Sequence, residues 1–422
     1  MNQPDEPRIY IIGAGISGLV AAINLEKQGY KPIIIEKDAA VGGRVQTDIV
    51  EGYQLDRGFQ VLLEAYPKAK EYLDYDALEL QPLSSGAMLF QNGKGKLFGD
   101  PLREFSYFFP TLFSSAGSIV DKWKVFRLNK QLEKADLHAL FQKEEHSSLE
   151  YLKARGFSDR IIDAFFRPFF SGIFLEPHLA TSSRMFEYVY KMFGKGRAMI
   201  PKAGMGAIAQ QLAGQLKHTT VHLNTEVKRV MHESIELANG DILPSLFTII
   251  ATQPDPLVNN YVSSLQWKSC DILYFTAPQR RIQPPVIGLS TEPGSLVNNI
   301  FYSTSIPTAQ RGSEELLSVT VVREHNLEDS KLIEKVSQEL TSIFGIDQTK
   351  LLQHKRIAQA LPDLQDLQYS RDPEENQLTD RISIAGDHQL NGSFNAAMIS
   401  GENAAAMAHR ALSNLLFSST TV

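Results

Sequence analysis

Cysteine is almost absent: Cys270 is the only one in 422 residues. No intrachain disulfide can form, and no cysteine cluster can hold zinc or iron–sulfur. The residue reads as a small buried hydrophobe. Long apolar runs are missing too, and without about eighteen consecutive apolar residues no transmembrane helix is expected. Basic charge is not in excess, since 42 Lys and Arg face 48 Asp and Glu for a net charge of −6. That balance disfavours nucleic acid and argues against general attraction to anionic membranes. Met1–Arg8 is polar and glycines break the apolar run that follows, so this stretch is not expected to act as a secretory signal. The cytoplasm is therefore the expected location. Ten histidines show neither metal-ligand nor Ser-His-Asp spacing, so no metal and no side-chain catalyst is assigned.

What the chain does have is concentrated at its start. Ile9-Tyr10-Ile11-Ile12 runs into Gly13-Ala14-Gly15-Ile16-Ser17-Gly18, a strand, a G-x-G-x-x-G turn and the opening of a helix. In this motif Gly13 allows the turn, Gly15 lets a pyrophosphate approach, and Gly18 lets the helix pack on the sheet. The helix start at Ile16 and Ser17 offers free N–H groups to phosphates. A second apolar strand, Ile33–Ile35, ends at Glu36-Lys37, where an acid suits a ribose hydroxyl pair. Val41-Gly42-Gly43-Arg44 follows, and its arginine can place a planar fork on a diphosphate. Further blocks are Asp56-Arg57-Gly58-Phe59-Gln60, the apolar strand Leu246–Ala251 ending at Thr252, and Ile384-Ala385-Gly386-Asp387. Gly392-Ser393-Phe394-Asn395-Ala396-Ala397-Met398 then opens a small-residue helix.

Together, in this order, these blocks resemble the FAD-dependent amine oxidase, protoporphyrinogen oxidase and phytoene desaturase superfamily. They cover about a quarter of the chain, the quarter that binds cofactor. The resemblance implies noncovalent FAD, held at Gly13–Gly18, Glu36, Lys37, Gly42, Gly43, Arg44 and Gly58–Gln60. It extends the site to Ala251, Thr252, Gly386, Asp387, Ala396, Ala397 and Met398. It further implies that the backbone of Val227 holds adenine, that Asp387 bonds the pyrophosphate–ribitol region, and that free amides at Ala397 and Met398 face the flavin.

The expected fold is α/β, with a discontinuous Rossmann-like FAD-binding domain and a substrate domain of mixed sheet plus helices. Cofactor segments are placed at 1–80, 191–255 and 375–422, and substrate segments at 81–190 and 256–374. Helices are read at 17–29, 66–75 and 327–344. Strands are read near 87–90, 221–223, 270–276, 286–289, 297–303 and 316–322, with a hairpin turn at Asn239-Gly240. Two aromatic groups, Phe105–Phe113 and Phe165–Phe174, read as helix-packing core. A sharper alternative makes them a substrate-tunnel wall, and makes Phe105–Phe113, followed by Lys122, Lys124 and Arg127, a peripheral membrane anchor.

The expected activity is hydride abstraction from an apolar or conjugated small molecule, at a CH–CH or CH–NH bond. Alternatives are an amine oxidase acting on a small amine, a pyridine-nucleotide dehydrogenase, and an FAD-binding scaffold without turnover. The amine oxidase reading is weakened because Ser393 occupies the place of an aromatic-cage residue and no flavin-facing lysine is found. The dehydrogenase lacks a second G-x-G-x-x-G. His388 is read as an exposed loop residue and His178 as a satisfied structural histidine. Arg167 and Arg184 are read as helix-surface ion pairs rather than anchors for a substrate carboxylate.

Overall fold

Parallel strands with both faces covered read as near-continuous apolar runs, as Ile9–Ile12, Ile33–Ile35 and Phe247–Ile250 do, with only Thr248 interrupting the last. In the computed structural model, which describes residues 8–99, 117–259 and 261–419 (side chains to 414), they form the centre of an eight-stranded sheet. Its parallel core runs Thr220–His222, Ile33–Ile35, Arg8–Ile12, Ile242–Ile250, Ile382–Ile384. The hairpin strands Val227–Met231 and Ser234–Leu237 extend the amino end of Ile242–Ile250.

Two helices cover one face: Ile16–Lys27, which begins directly after the glycine turn, and Phe394–Ser419. They cross closely. A Cβ at Gly401 would lie 2.4 Å from the Ser17 carbonyl oxygen, so only glycine allows that approach. The wide stripe of Ala21, Ala22, Ala404, Ala405 and Ala408 is fully buried between them and the sheet.

A second, seven-stranded sheet has the order Lys350–Asp363, Gln266–Ala277, Glu315–Val321, Val297–Tyr302, Ile287–Ser290, Gly86–Gln91, Lys94–Gly99. It is antiparallel except where Ile287–Ser290 runs parallel to Gly86–Gln91, so it is mixed. The helix Asp329–Ser342 seals one face through Leu332, Val336 and Leu340. The helices between Ile119 and Lys195 pack beside the other, with Phe165 and Phe169 against Ala87, Leu89 and Phe98. No helix of the described residues is long and apolar enough to cross a membrane.

Phe105–Phe113 lie outside the described residues. The second aromatic group divides: Phe166 and Phe170 are core, whereas Phe165, Phe169 and the almost fully buried Phe174 line a cavity.

Candidate functional site

The parallel strands all end at one edge, and the backbone there is tied strand to strand. Gly13 N–H donates to Ile35 O, Ala251 N–H to Ile12 O, Ala385 N–H to Ile250 O and Glu36 N–H to His222 O, each at 2.8 Å. Ligands of open parallel sheets bind beyond this carboxyl edge. Here it opens into a cavity of about 2200 Å³ whose opposite walls are the second sheet and the helical segments.

The glycine turn divides its work by position. A Cβ at Gly18 would stand 2.1 Å from Gly13 O, whereas one at Gly15 would meet nothing within 4 Å. Gly18 therefore serves packing, and Gly15 faces the open cavity. Glu36 is buried, its carboxylate accepting from Ala14 N–H at 2.7 Å and Asp38 N–H at 2.9 Å. The acid thus fastens the turn as well as lining the cavity. Gly42 N–H reaches back to Ala14 O at 2.9 Å, which stacks the second glycine loop on the first.

Arg44 and Asp387, 343 residues apart in sequence, form an ion pair on the cavity wall. The guanidinium also lies 5.1 Å over the Trp267 ring and donates to Ala360 O at 3.3 Å. It therefore bridges both sheets. Gln60 Nε2 donates to the Arg44 and Arg57 carbonyls, at 3.1 and 3.0 Å. Phe59 packs on Phe301 with ring centroids 5.1 Å apart.

Most sequence-predicted positions meet at this cavity: Gly13, Gly15, Ile16, Ser17, Glu36, Lys37, Gly42, Gly43, Arg44, Gly58, Phe59, Gln60, Ala251, Thr252, Gly386, Asp387 and Ala397. Gly18, Val227, Ala396 and Met398 are not among its lining residues. Val227 is buried between the sheet and the hairpin. The expected free amide of Ala397 is not free, because the last helix begins at Phe394 and Ala397 N–H donates to Ser393 O at 3.0 Å. Ser393 Oγ caps the same turn through Ala396 N–H at 3.0 Å.

His388 is not the exposed loop residue expected from sequence. It is half-buried on the cavity wall, and burial lowers its pKa although Asp387 acts in the opposite direction. His178 is exposed on the cavity wall, its backbone N–H donating to the Glu176 carboxylate at 2.7 Å. Arg167 pairs with Asp163 at 2.9 Å, and Arg184 donates to Lys143 O at 2.7 Å. Neither arginine lines the cavity. Gln253 and Lys268 do line it and carried no sequence signal. Lys268 is held by Asp363 at 3.3 Å and Thr181 at 3.4 Å.

Away from the glycine turn the wall is aromatic. Phe98, Phe165, Phe169 and Phe193 form a chain with successive centroids 4.7, 5.4 and 5.4 Å apart. Glu176 lines the cavity with its carboxylate already taken up by His178 N–H, Thr181 N–H and Thr181 Oγ. Cys270 lies on the sheet side, its thiol pushed up to about 12 by burial. No group of side chains suited to a metal ion occurs among the described residues.

The family model of the flavin containing amine oxidoreductases matches residues 16–408. Among curated relatives, Coproporphyrinogen III oxidase of Bacillus subtilis (strain 168) is 24% identical over 302 residues, covering 61% of this chain and 62% of that protein. The chain thus matches less than two thirds of that relative's length. Among solved structures, an oxidoreductase from Methanosarcina mazei superposes with a TM-score of 0.72 at 17% identity, covering 93% of this chain and 98% of that one. Putrescine oxidase bound to putrescine gives 0.66 at 15% identity, covering 95% and 98%. At these identities the superpositions establish the fold.

Proposed function

Because this chain belongs to the flavin containing amine oxidoreductase family, we propose that it is an FAD-dependent oxidoreductase that abstracts hydride from an apolar or planar conjugated small molecule, at a carbon–carbon or carbon–nitrogen bond. FAD is the family's cofactor, and the cavity's donor set fits it. An open Gly15 and a helix start suit a pyrophosphate, and unpaired buried nitrogens of Gln253 and His388 lie on the same wall. In this reading Gly13–Gly18 and Arg44 hold the pyrophosphate, Glu36 a ribose, and Gly58–Gln60 with Asp387 the remainder. Bound there, FAD supplies the two-electron acceptor.

The protein's own residues bind, orient and exclude water. In this reading segments 1–80, 191–255 and 375–422 serve the cofactor, 81–190 and 256–374 serve the substrate, and the reaction lies between the two sheets.

The observation that carries the substrate class is the aromatic wall of Phe98, Phe165, Phe169 and Phe193 in the same cavity. Flat apolar molecules gain from stacking on such rings and from leaving water. The carboxylates that would attract an ammonium ion are largely engaged already: Glu176 by three donors, Asp363 by Lys268 and Asp387 by Arg44. The similarity to a protein named for coproporphyrinogen III supports the ring-like class over a small amine.

The test is an anaerobic substrate screen followed by loss of flavin absorbance near 450 nm. Reduced tetrapyrroles or polyenes should bleach the protein while putrescine and amino acids leave it yellow. Bleaching by the amines alone would overturn the substrate class. Attachment should be noncovalent, since the one cysteine is a protonated thiol on the far sheet. Acid precipitation should therefore leave the yellow colour in the supernatant and a white pellet.

A further inference from the structure

Two side chains of the cavity's donor set, Gln253 and His388, have been given no particular contact. Gln253 stands three residues beyond Ile250, the end of the strand Ile242–Ile250. His388 stands four beyond Ile384, the end of the neighbouring parallel strand, and Ile250 pairs with Ile384. Both residues thus occupy the ligand-binding edge of the parallel sheet, on adjacent strands.

Both also share an unusual condition. Each residue lines the cavity, yet Gln253 Nε2 and His388 Nε2 are buried with no hydrogen-bond partner. Of all side-chain atoms in that condition among the described residues, only these two belong to the cavity wall. Buried polar groups are paired in the great majority of cases, and an exception calls for a cause. The ring of His388 has, in addition, a place prepared for it. A Cβ at Gly386 would come within 2.2 Å of its Cε1 and 2.3 Å of its Nδ1, so that edge of the imidazole packs on a position that only glycine leaves open.

We propose that Gln253 and His388 are further cofactor contacts of this chain, their side-chain nitrogens finding their missing partners in bound FAD. The inference rests on reading the cavity as the FAD site. Both side chains border the cavity that a bound FAD would occupy. Gln253 offers a neutral N–H donor. His388, whose pKa burial lowers, offers a nitrogen that donates or accepts. The phosphoryl and hydroxyl oxygens of FAD accept from the first, and its hydroxyls serve the second in either sense. Neither residue brings net charge to a wall where Arg44 and Asp387 already neutralise each other.

A cofactor contact and a structural contact leave opposite signatures. Removing an unpaired buried nitrogen relieves the apoprotein, whereas removing a structural hydrogen bond weakens it. The experiment uses full-length deflavinated protein, titrated with FAD by quenching of flavin fluorescence, with melting curves before and after. Gln253→Leu and His388→Leu should each weaken FAD binding by roughly 3- to 10-fold while the apoprotein melts no lower than wild type. His388→Gln, which restores a hydrogen-bonding group, should recover part of the loss.

Wild-type affinity in both leucine variants would overturn the proposal. So would a lowered apoprotein melting temperature with unchanged affinity, because it would make the contacts structural. Glu36→Gln separates the two levels of inference. If wild-type protein does not take up FAD, or if Glu36→Gln leaves affinity untouched, the assignment of the cavity fails. If Glu36→Gln weakens binding and the two leucine variants do not, only the present proposal fails.

Discussion

A methyl group added at Gly15 and one added at Gly18 meet opposite surroundings. At Gly18 it would collide with Gly13 O at 2.1 Å, inside the crossing of helix and sheet, while at Gly15 it would enter open space in the cavity. Gly18→Ala should therefore lower the melting temperature of the apoprotein and its soluble yield. Gly15→Ala should melt like wild type and lose FAD. Equal melting temperatures for the two variants would show that the division of roles within the turn is wrong. The motif alone distinguished these roles in principle, but only the measured distances show how little room Gly18 has. Asp56 is a second residue whose behaviour follows from its setting. Its carboxyl accepts from Thr47 Oγ at 2.5 Å and Met205 N–H at 2.9 Å, yet burial pushes its pKa up to about 6. A carboxyl whose pKa is higher folded than unfolded binds a proton more tightly in the native state. Its contribution to stability is then full below pH 4, declines as pH rises through about 6, and is flat above. Asp56→Asn should remove that decline, and melting temperatures of the two proteins measured from pH 4 to 7 should diverge across that interval. Parallel curves would show that Asp56 does not titrate there.

At the scale of elements, what the sequence disclosed was what local chemistry determines. The first strand-turn-helix, the hairpin turn at Asn239-Gly240 and the amphipathic helix Asp329–Ser342 all stand where apolar spacing and turn residues put them. The fourteen-residue strand Lys350–Asp363 escaped notice. Its charged residues and its Pro362 conceal it, because as an edge strand partly facing the cavity it needs no apolar alternation. The short hairpin Thr47–Val50 with Tyr53–Asp56 escaped for a similar reason. The helix Ile119–Lys134 carries a feature that its composition did not reveal. Ile119, Val120, Trp123 and Phe126 are exposed on it, Trp123 at 55%, and Arg127 lies 4.8 Å over the Trp123 ring. Phe126 also borders the cavity. Lys122, Lys124, Arg127, Lys130 and Lys134 give this helix a positive balance against Asp121 and Glu133, in a chain that is otherwise acidic. Apolar side chains flanked by cations suit the boundary of an anionic bilayer. Co-sedimentation with phosphatidylglycerol vesicles should be salt-sensitive and should fall severalfold in Trp123→Ser/Phe126→Ser. Equal sedimentation of that variant and wild type would remove the anchor.

At the scale of the whole molecule the site is made by contacts that no local reading reaches. Arg44 and Asp387 meet across 343 residues of sequence, and Arg44 stacks on Trp267 of the second sheet. The sequence blocks pointed to one side of the cavity, whereas the pairing of Lys268 with Asp363, the orphaned Gln253 and the tilted contact of Phe98 with Phe165 come from tertiary packing. The cavity takes walls from both sheets, so a ligand that fills it links them and binds only the native arrangement. Such a ligand stabilises by mass action, by about 2.7 kcal/mol when free FAD is a hundredfold above its dissociation constant. Deflavinated protein should accordingly melt a few degrees lower than protein resupplied with FAD, with the interval widening as FAD is raised. The same addition should leave the melting temperature of Gly15→Ala unmoved, because its apoprotein is sound and its cofactor turn is blocked. If FAD shifts Gly15→Ala as far as wild type, the stabilisation does not pass through the glycine turn. The cavity between the sheets would then not be where the cofactor acts.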